Sequence, residues 1–399
     1  MKKSVISLGF AVGILVAIGT YWAFKRGGND FDVFYTAWGL VLKGHAAQIY
    51  TNSPDRYLYA PGFAFILSPL ALLPRDLSLA LWCLLKAAVL GWLIRSWAGA
   101  QHISIGMIAL GVLLLTRPLL IDFEYGQVNL FILVACLWAL LNHFQKKPSS
   151  GGDILSWAVL AIAAIAKIFP LPLLMIPFLK NWSISREKLA REKFGILLGV
   201  ILVLGIPFLF EGTQEAMRLL VEWKAALQAR GLPMESHNQS FAALIRHFFS
   251  GRPTPVISEG WRPIQFGFAI LSEQTIELLS LAWSLITGGI MLGWIVSGPK
   301  RDPMLWISVL LGLLILPSHL VWKPYFVMGI PAASYLITRA RESYRLGFFL
   351  GMFFIAINLT GFNFTGHAFA SQMEAAAIFL IAHVFLLILT ARSEKTAAR

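Results

Sequence analysis

Residues 29–59 read NDFDVFYTAWGLVLKGHAAQIYTNSPDRYLY, and this stretch opens with two carboxylates, Asp30 and Asp32. They come directly after a run of apolar residues from Val5 to Phe24. A run of that length is enough to cross a bilayer, which places both acids at the far water interface. Beyond them Phe31, Val33, Phe34, Ala37, Trp38, Val41 and Leu42 recur at helical spacing, so the stretch is predicted to form a short amphipathic helix lying along the membrane surface.

The rest of the chain agrees with a membrane setting. It is 57% hydrophobic and 13% charged, with a mean hydropathy of +0.71, far too apolar for an ordinary soluble domain. The formal charge of +13 does not indicate nucleic acid, because the basic residues sit in short gaps between apolar runs rather than in a block interleaved with aromatics. Cys83 and Cys136 both fall inside apolar runs and read as small buried hydrophobes, not as a disulfide framework. The first apolar run ends in Tyr21, Trp22 and Phe24 rather than at a small-residue cleavage site, so it is expected to be an uncleaved first helix.

Further apolar runs occur at about 76–97, 103–120, 127–145, 193–210, 275–297, 303–317, 322–338, 344–361 and 372–391. The segment 154–180 is expected to break at Pro170 into two short helices, which keeps Arg186, Lys188, Arg191 and Lys193 on the inner side. The result is an all-α polytopic membrane protein of about twelve transmembrane helices, with interfacial helices in its first outer loop. With both termini cytoplasmic, the short inner gaps hold Lys146, Lys147, the 186–193 cluster, Lys300, Arg301, Arg339, Arg341 and Arg345, while Arg117 and Lys323 lie in outer gaps. Two long outer loops follow, about 25–75 and 211–274, and most acidic residues fall on that side. Residues 60–74 are apolar but bracketed by Pro61, Pro69 and Pro74, which suits an interfacial or re-entrant piece. Residues 1–399 read as one membrane domain without repeats.

Six pieces of this sequence, in order, resemble glycosyltransferase family 87, the polyprenyl-phosphate-sugar-dependent enzymes of the polytopic C superfamily that include bacterial mannosyltransferases. They are DFDVFYTAWGLVLKG from Asp30, YLYAPGFAFILSPLALLP from Tyr57, RPLLIDFEYGQVNLFILV from Arg117, AAIAKIFPLPLLMIPFL from Ala163, HNQSFAALIR from His237 and PSHLVWKPYFVMGIPA from Pro317. The resemblance implies a GT-C-like fold in the bacterial inner (plasma) membrane and a transfer on the extracytoplasmic face. A sugar, by default mannose, leaves a polyprenyl phosphate and joins a hydroxyl of a lipid or glycan acceptor, with no nucleotide and no obligatory metal. It also implies that Asp30 is the catalytic base, with Asp32 as the runner-up. One departure stands out: where the family carries Trp followed by His near a late helix, Trp322 is here followed by Lys323, Pro324 and Tyr325, with His319 upstream.

The chemistry asks for little more. Glycosyl transfer passes through an oxocarbenium-like state in which the attacking hydroxyl loses a proton and the leaving group gains charge. A phosphate leaving group needs no general acid, so one carboxylate and a cationic clamp suffice. Asp30 and Asp32 are two apart, point to different sides of a helix, and otherwise serve as solvated charges that hold it at the surface. Lys167 is either a snorkelling anchor or a phosphate ligand. Arg117 either grips a phosphate or ties to Asp122 or Glu124. Gln127 and Asn129 either hold sugar hydroxyls or bond neighbouring helices. His237, Asn238 and Gln239 are acceptor-loop candidates through the HNQS match alone, and His319 with Lys323 forms a possible cation pair beside the phosphate. Lys86, in the middle of a span, has no counterpart in the matching motifs. The His residues are scattered without zinc-like spacing, so no metal and no cofactor is expected. The competing classes are a multi-span transporter or lipid-linked sugar flippase, and a non-catalytic assembly factor.

Overall fold

The structure, a computed structural model, describes residues 2–51, 57–145, 150–179, 184–229, 235–256, 263–266, 268–299, 302–340 and 343–396. Lys146, Lys147, Lys300, Arg301 and Arg341, which helped to set the expected topology, lie outside them. The described chain is helical, with a lone antiparallel bridge between Thr254 and Ile264 as its β-structure. In chain order the helices are α1 (Lys2–Arg26), α2 (Asn29–Leu42), α3 (Pro61–Leu67), α4 (Arg75–Gln101), α5 (Ile105–Leu114), α6 (Thr116–Glu124), α7 (Asn129–Phe144), α8 (Ser150–Ala166) and α9 (Arg186–Ala229). They continue as α10 (Phe241–Phe249), α11 (Glu273–Ser297), α12 (Pro303–Leu313), α13 (Ile330–Ala340), α14 (Tyr344–Phe354), α15 (Phe362–Thr365), α16 (His367–Ala375) and α17 (Ile378–Thr396).

Four of these helices are long and apolar enough to cross a membrane, within α1, α4, α9 and α11, and six spans result if two bent pairs each count as one. The chain is an integral membrane protein. Fewer long spans form than the expected twelve because several apolar runs are cut short. The run expected at 103–120 is α5 and α6, bent by 76°. Pro118 then falls in the first turn of α6, where its missing N–H costs no helical bond. The run at 322–338 begins as a 3₁₀ segment, Lys323–Gly329, with Pro324 in its first turn, before α13 takes over. The run at 344–361 ends in a π-helical turn, Ile355–Leu359, and that at 372–391 is broken at Ala377, whose φ is 50°.

The chain divides into two compact units, one of residues 16–93 and 122–231 and one of residues 1–15, 94–121 and 232–399. In the first, α2 forms where the acids and aromatics predicted it and buries Phe31, Val33, Phe34, Ala37 and Trp38. Leu42 at its end is exposed, so the apolar face is shorter than the pattern implied. Residues 60–74 make the expected short elements, α3 followed by a 3₁₀ turn, Ser68–Leu72. The break near Pro170 is also present. There α8 stops at Ala166 and a 3₁₀ segment, Leu171–Phe178, follows, since its prolines deny an α-helix the donors it needs. Within the stretch expected as the second outer loop, α9 kinks at Gly212, with φ 76° and ψ 173°, and then stays helical to Ala229.

Small residues set the closest approaches. Gly195 and Gly199 of α9 sit against the backbone of α8 at Ile154 and Ala158, and Gly62 of α3 sits against the Val203 carbonyl. Close backbone contact of this kind is how helices gain packing where lipid supplies no hydrophobic drive. In the second unit Gly111 of α5 lies on Ser334 of α13, and Gly312 and Gly329 make room for the buried His383, whose ring meets the Gly312 carbonyl at 3.0 Å.

A methyl group at Gly62 would collide with the Val203 carbonyl, whereas one at Gly91 on α4 meets nothing within 4 Å. Gly62→Ala is therefore expected to lower the thermal midpoint of the detergent-purified protein by several degrees, the overpacking cost being about 1–3 kcal/mol, while Gly91→Ala leaves it unchanged. Differential scanning fluorimetry of both variants checks this.

Candidate active site

Asp30 stands in the first turn of α2, a helix whose N-cap is Gly28 in the left-handed region with no side chain to cap it. The missing cap comes from another segment: the Tyr125 carbonyl accepts from both the Asp30 and Phe31 N–H groups, at 3.1 Å each. That carbonyl belongs to a tight loop, residues 125–128, between α6 and α7. Gly126 turns the loop with φ 65°, and a Cβ there would strike Phe31. Glycine is thus required twice, for the backbone angle and for the close approach.

Next to Gly126, Gln127 is nearly fully buried and donates from its side-chain Nε2 to Asp30 Oδ2. Its Oε1 accepts from Lys167 Nζ at 3.3 Å and from Asn129 Nδ2 at 3.4 Å, and Lys167 also donates to Asn129 Oδ1 at 2.8 Å. One amide therefore holds a carboxylate on its nitrogen and an ammonium on its oxygen. Asn129 Nδ2 reaches Asp122 Oδ1 at 3.3 Å, and Asp122 pairs with Lys86 at 2.6 Å, both side chains being fully buried. Asp30 itself is only partly buried, as is Lys167, whose ammonium also lies 5.8 Å from the centre of the Tyr59 ring. The Tyr59 carbonyl accepts from the Tyr50 hydroxyl at 2.8 Å. Burial first, and the Glu222 carboxylate second, push the Tyr50 phenol well above its ordinary pKa, so it stays protonated as that donor.

Asp32 points elsewhere. It pairs with Arg75 at 2.8 Å on a half-exposed surface, and Arg75 also bonds the Gly27 carbonyl and Asp76. The two acids of α2 are therefore separated in role, as their spacing requires.

A second cluster lies in the other unit and centres on Glu374 of α16, a residue that no sequence motif marked. Arg117 Nη2 and Lys323 Nζ meet its Oε1 at 2.5 and 2.6 Å, and His237 Nδ1 meets its Oε2 at 2.6 Å. The expected tie of Arg117 to Asp122 or Glu124 is not formed, because Asp122 is taken by Lys86 and Glu124 by Arg26. Instead the Arg117 guanidinium lies over Phe379, 5.1 Å from its ring centre, and reaches Thr360. Of the HNQS residues, Asn238 and Gln239 are fully buried and spend their amides on backbone. Asn238 binds the His319 carbonyl and the Val321 N–H at 3.1 Å each, and Gln239 binds the Glu374 carbonyl at 2.7 Å. His319 joins this cluster through its backbone, and its side chain is exposed.

Eight of the eleven residues singled out from sequence thus fall, by their side chains, into one or other of two clusters: Asp30, Gln127, Asn129 and Lys167, and Arg117, His237, Lys323 and the Gln239 amide. Asp32, Asn238 and the His319 ring do not. Missed were Glu374, Asp122 and the role of Lys86. A lone Glu in a weakly apolar helix carries no pattern, but the pairing of a mid-span Lys with an acid was open to inference, since such a charge needs a partner. Among the described residues no group of three or more His, Cys, Asp or Glu is arranged to hold a metal.

Comparison with known proteins now bears on this geometry. Residues 57–322, about two thirds of the chain, match glycosyltransferase family 87. The chain belongs to that family. It is a glycosyltransferase, and the transporter and assembly-factor readings fall away. It is also 24% identical over 378 residues, covering 90% of this chain and 78% of the other, to a polyprenol-phosphate-mannose-dependent alpha-(1-2)-phosphatidylinositol pentamannoside mannosyltransferase of Mycobacterium tuberculosis (strain CDC 1551 / Oshkosh). No solved structure matches. The family match holds Gln127, Asn129, Lys167, His237 and His319, whereas Asp30, Lys323 and Glu374 lie outside it.

Removal of the Glu374 charge leaves two nearly buried cations, Arg117 and Lys323, facing each other. Glu374→Gln is expected to destabilise this glycosyltransferase by about 3–5 kcal/mol, the cost of orphaning buried charge. Asp32→Asn, which breaks a half-exposed pair with Arg75, costs about 1 kcal/mol or less. Thermal and denaturant unfolding of the two variants in one detergent tests the contrast.

Proposed function

We propose that this family 87 glycosyltransferase moves a sugar from a polyprenyl-phosphate donor to a hydroxyl of a lipid or glycan acceptor, with Asp30 as general base. The observation that carries the reading is the sharing of one buried amide, that of Gln127, between a partly exposed carboxylate and a partly exposed ammonium. As the acceptor oxygen bonds to the sugar's anomeric carbon, its proton passes to Asp30 and the bond from that carbon to the phosphate oxygen breaks. The pair of electrons leaves on the phosphate. Lys167, held by Gln127 and Asn129, supplies positive charge toward it.

The Glu374 cluster supports the same substrate class by its own balance. Arg117 and Lys323 carry two positive charges against one carboxylate, and His237 adds a third when protonated. Such a surplus attracts a phosphate-bearing lipid. Asn238 and Gln239, with their amides spent on backbone, hold this region in place instead of contacting acceptor, and His319 is left as an exposed acceptor-side candidate. In place of the family's expected imidazoles after Trp322, Lys323 puts an ammonium against Glu374.

Mannose is the default donor sugar, in line with the name of the mycobacterial relative. The reading places the reaction on the extracytoplasmic face of a bacterial inner membrane. It sets about twelve crossings, with the shorter apolar helices supplementing the long spans, outer loops at 25–75 and 211–274, and both termini in the cytoplasm. The partners are membrane lipids; nucleic acid and cofactors have no part in it.

Sugar transfer by the purified protein in nanodiscs, with a panel of radiolabelled polyprenyl-phosphate sugars and membrane lipid extract as acceptor, tests the proposal. Asp30→Asn is expected to lower the rate about 10²- to 10⁴-fold, the range of a general base, while Asp32→Asn stays within about tenfold of the parent. Undiminished transfer by Asp30→Asn, or a loss confined to Asp32→Asn, overturns the assignment of the base.

A further inference from the structure

Lys86 is buried without any exposure in the middle of α4, a 27-residue apolar helix. A charge there is costly, and an apolar side chain would serve the span better. Pairing with Asp122 does not by itself explain it, because a buried ion pair is often no more stabilising than two apolar residues of the same volume. What distinguishes Lys86 is where its bonds go. Besides Asp122 Oδ2 at 2.6 Å, its ammonium reaches the Asp122 carbonyl and, at 3.0 Å, the Gln127 carbonyl. Its two hydrogen bonds and its ion pair thus end on Asp122, in the last turn of α6, and on Gln127, in the loop that follows.

One helical turn earlier on α4, Trp82 donates to the Gly126 carbonyl at 2.8 Å, so the loop is fixed to this helix at several carbonyls along its length. The loop closes on itself as well, with the Gln127 N–H on the Asp122 carbonyl at 2.9 Å and the Gly126 N–H on the Phe123 carbonyl at 3.0 Å. From the fixed loop, Tyr125 caps the helix that carries Asp30, and Gln127 bonds the Asp30 carboxylate directly. The Asp122 carboxylate orients Asn129, which in turn holds Lys167.

We infer that Lys86, with Asp122, is a positioning residue: it never meets substrate, and it sets the place and orientation of Asp30 and Lys167 through the loop 122–129. The inference rests on the reading of Asp30 as base. A displacement of about 1 Å at the reacting groups can cost on the order of 10²-fold in rate, so the loss of these anchors should act on turnover far more than on donor binding.

The test uses the full-length protein in nanodiscs, with polyprenyl-phosphate mannose as donor and membrane lipid extract as acceptor, or whichever donor of the panel gives product. The main variant is Lys86→Met combined with Asp122→Leu, which removes both charges together and leaves none orphaned. Expected are a monodisperse protein, kcat lower by about 10²-fold and a donor KM within about threefold of the parent. Added to Asp30→Asn, the same pair should cost little more, because groups that act as a unit are not additive. A folded double variant with kcat within about threefold of the parent overturns the inference and leaves the pair a structural tie, and so does a full further loss in the Asp30→Asn background. If the double variant does not fold, Trp82→Phe, which deletes one anchor to the same loop, decides: a several-fold fall in kcat at unchanged KM supports the positioning role, and unchanged kcat overturns it. The two readings fail separately. An active Asp30→Asn removes the base assignment, whereas an inactive Asp30→Asn beside a fully active double variant removes only the role of Lys86.

Discussion

The carbonyl of Tyr125 closes the N-terminus of α2, and the arrangement around Asp30 depends on that closure. A helix start leaves its first N–H groups without partners and gathers about half a positive charge there. On α2 no Ser, Thr, Asp or Asn stands at the cap, since Gly28 occupies it. A backbone oxygen from a distant part of the sequence takes two of those donors instead. The helix is therefore not free to choose its register or direction, because its own start belongs to the loop after α6. Asp30 lies in that first turn and accepts the Gln127 amide on its carboxylate, and an amide donor and a helix N-terminus both favour negative charge. The aromatic wall of Phe31, Phe34, Trp38 and Trp82 then packs behind it, with ring centres about 6 Å apart.

The two polar clusters are built on opposite electrostatic plans. Around Asp30 the charges balance, with Asp30 and Asp122 against Lys86 and Lys167, and neutral amides separate them. Around Glu374 they do not balance: two permanent cations and an imidazole converge on one carboxylate. Glu374 keeps its cations from repelling one another apart.

The gross architecture was legible in the sequence because it follows from hydropathy, which is a property of single residues summed over a window. The short helix at 29–42, the break near Pro170 and the brief elements of 60–74 follow from proline positions and helical spacing, and all are present. The number of long spans was not legible. Whether an apolar run continues as one α-helix or turns into 3₁₀ and π segments depends on local packing, as at Lys323–Gly329 and Ile355–Leu359. The polar clusters were half legible. Asp30, Gln127, Asn129 and Lys167 stood out because polar groups at the ends of apolar runs are few. The partners of Arg117, His237 and Lys323 did not, since Glu374 is far from all three along the chain and nothing local marks it. Asn238 and Gln239 misled for the opposite reason: an amide-rich loop looks ready for a sugar until its bonds are seen to go to backbone.

The region that matches the family begins at residue 57 and does not contain Asp30. Asp30 is nevertheless tied to it by bonds. Gln127, which holds the Asp30 carboxylate, Tyr125, which caps its helix, and Lys86, which bonds the Gln127 carbonyl, all lie inside the matched region. A carboxylate on a surface helix with no such tether would sample many positions and lose the geometric advantage on which a single base depends. Here the tether enters from the buried side, through the Gln127 amide, while Asp30 itself stays partly exposed.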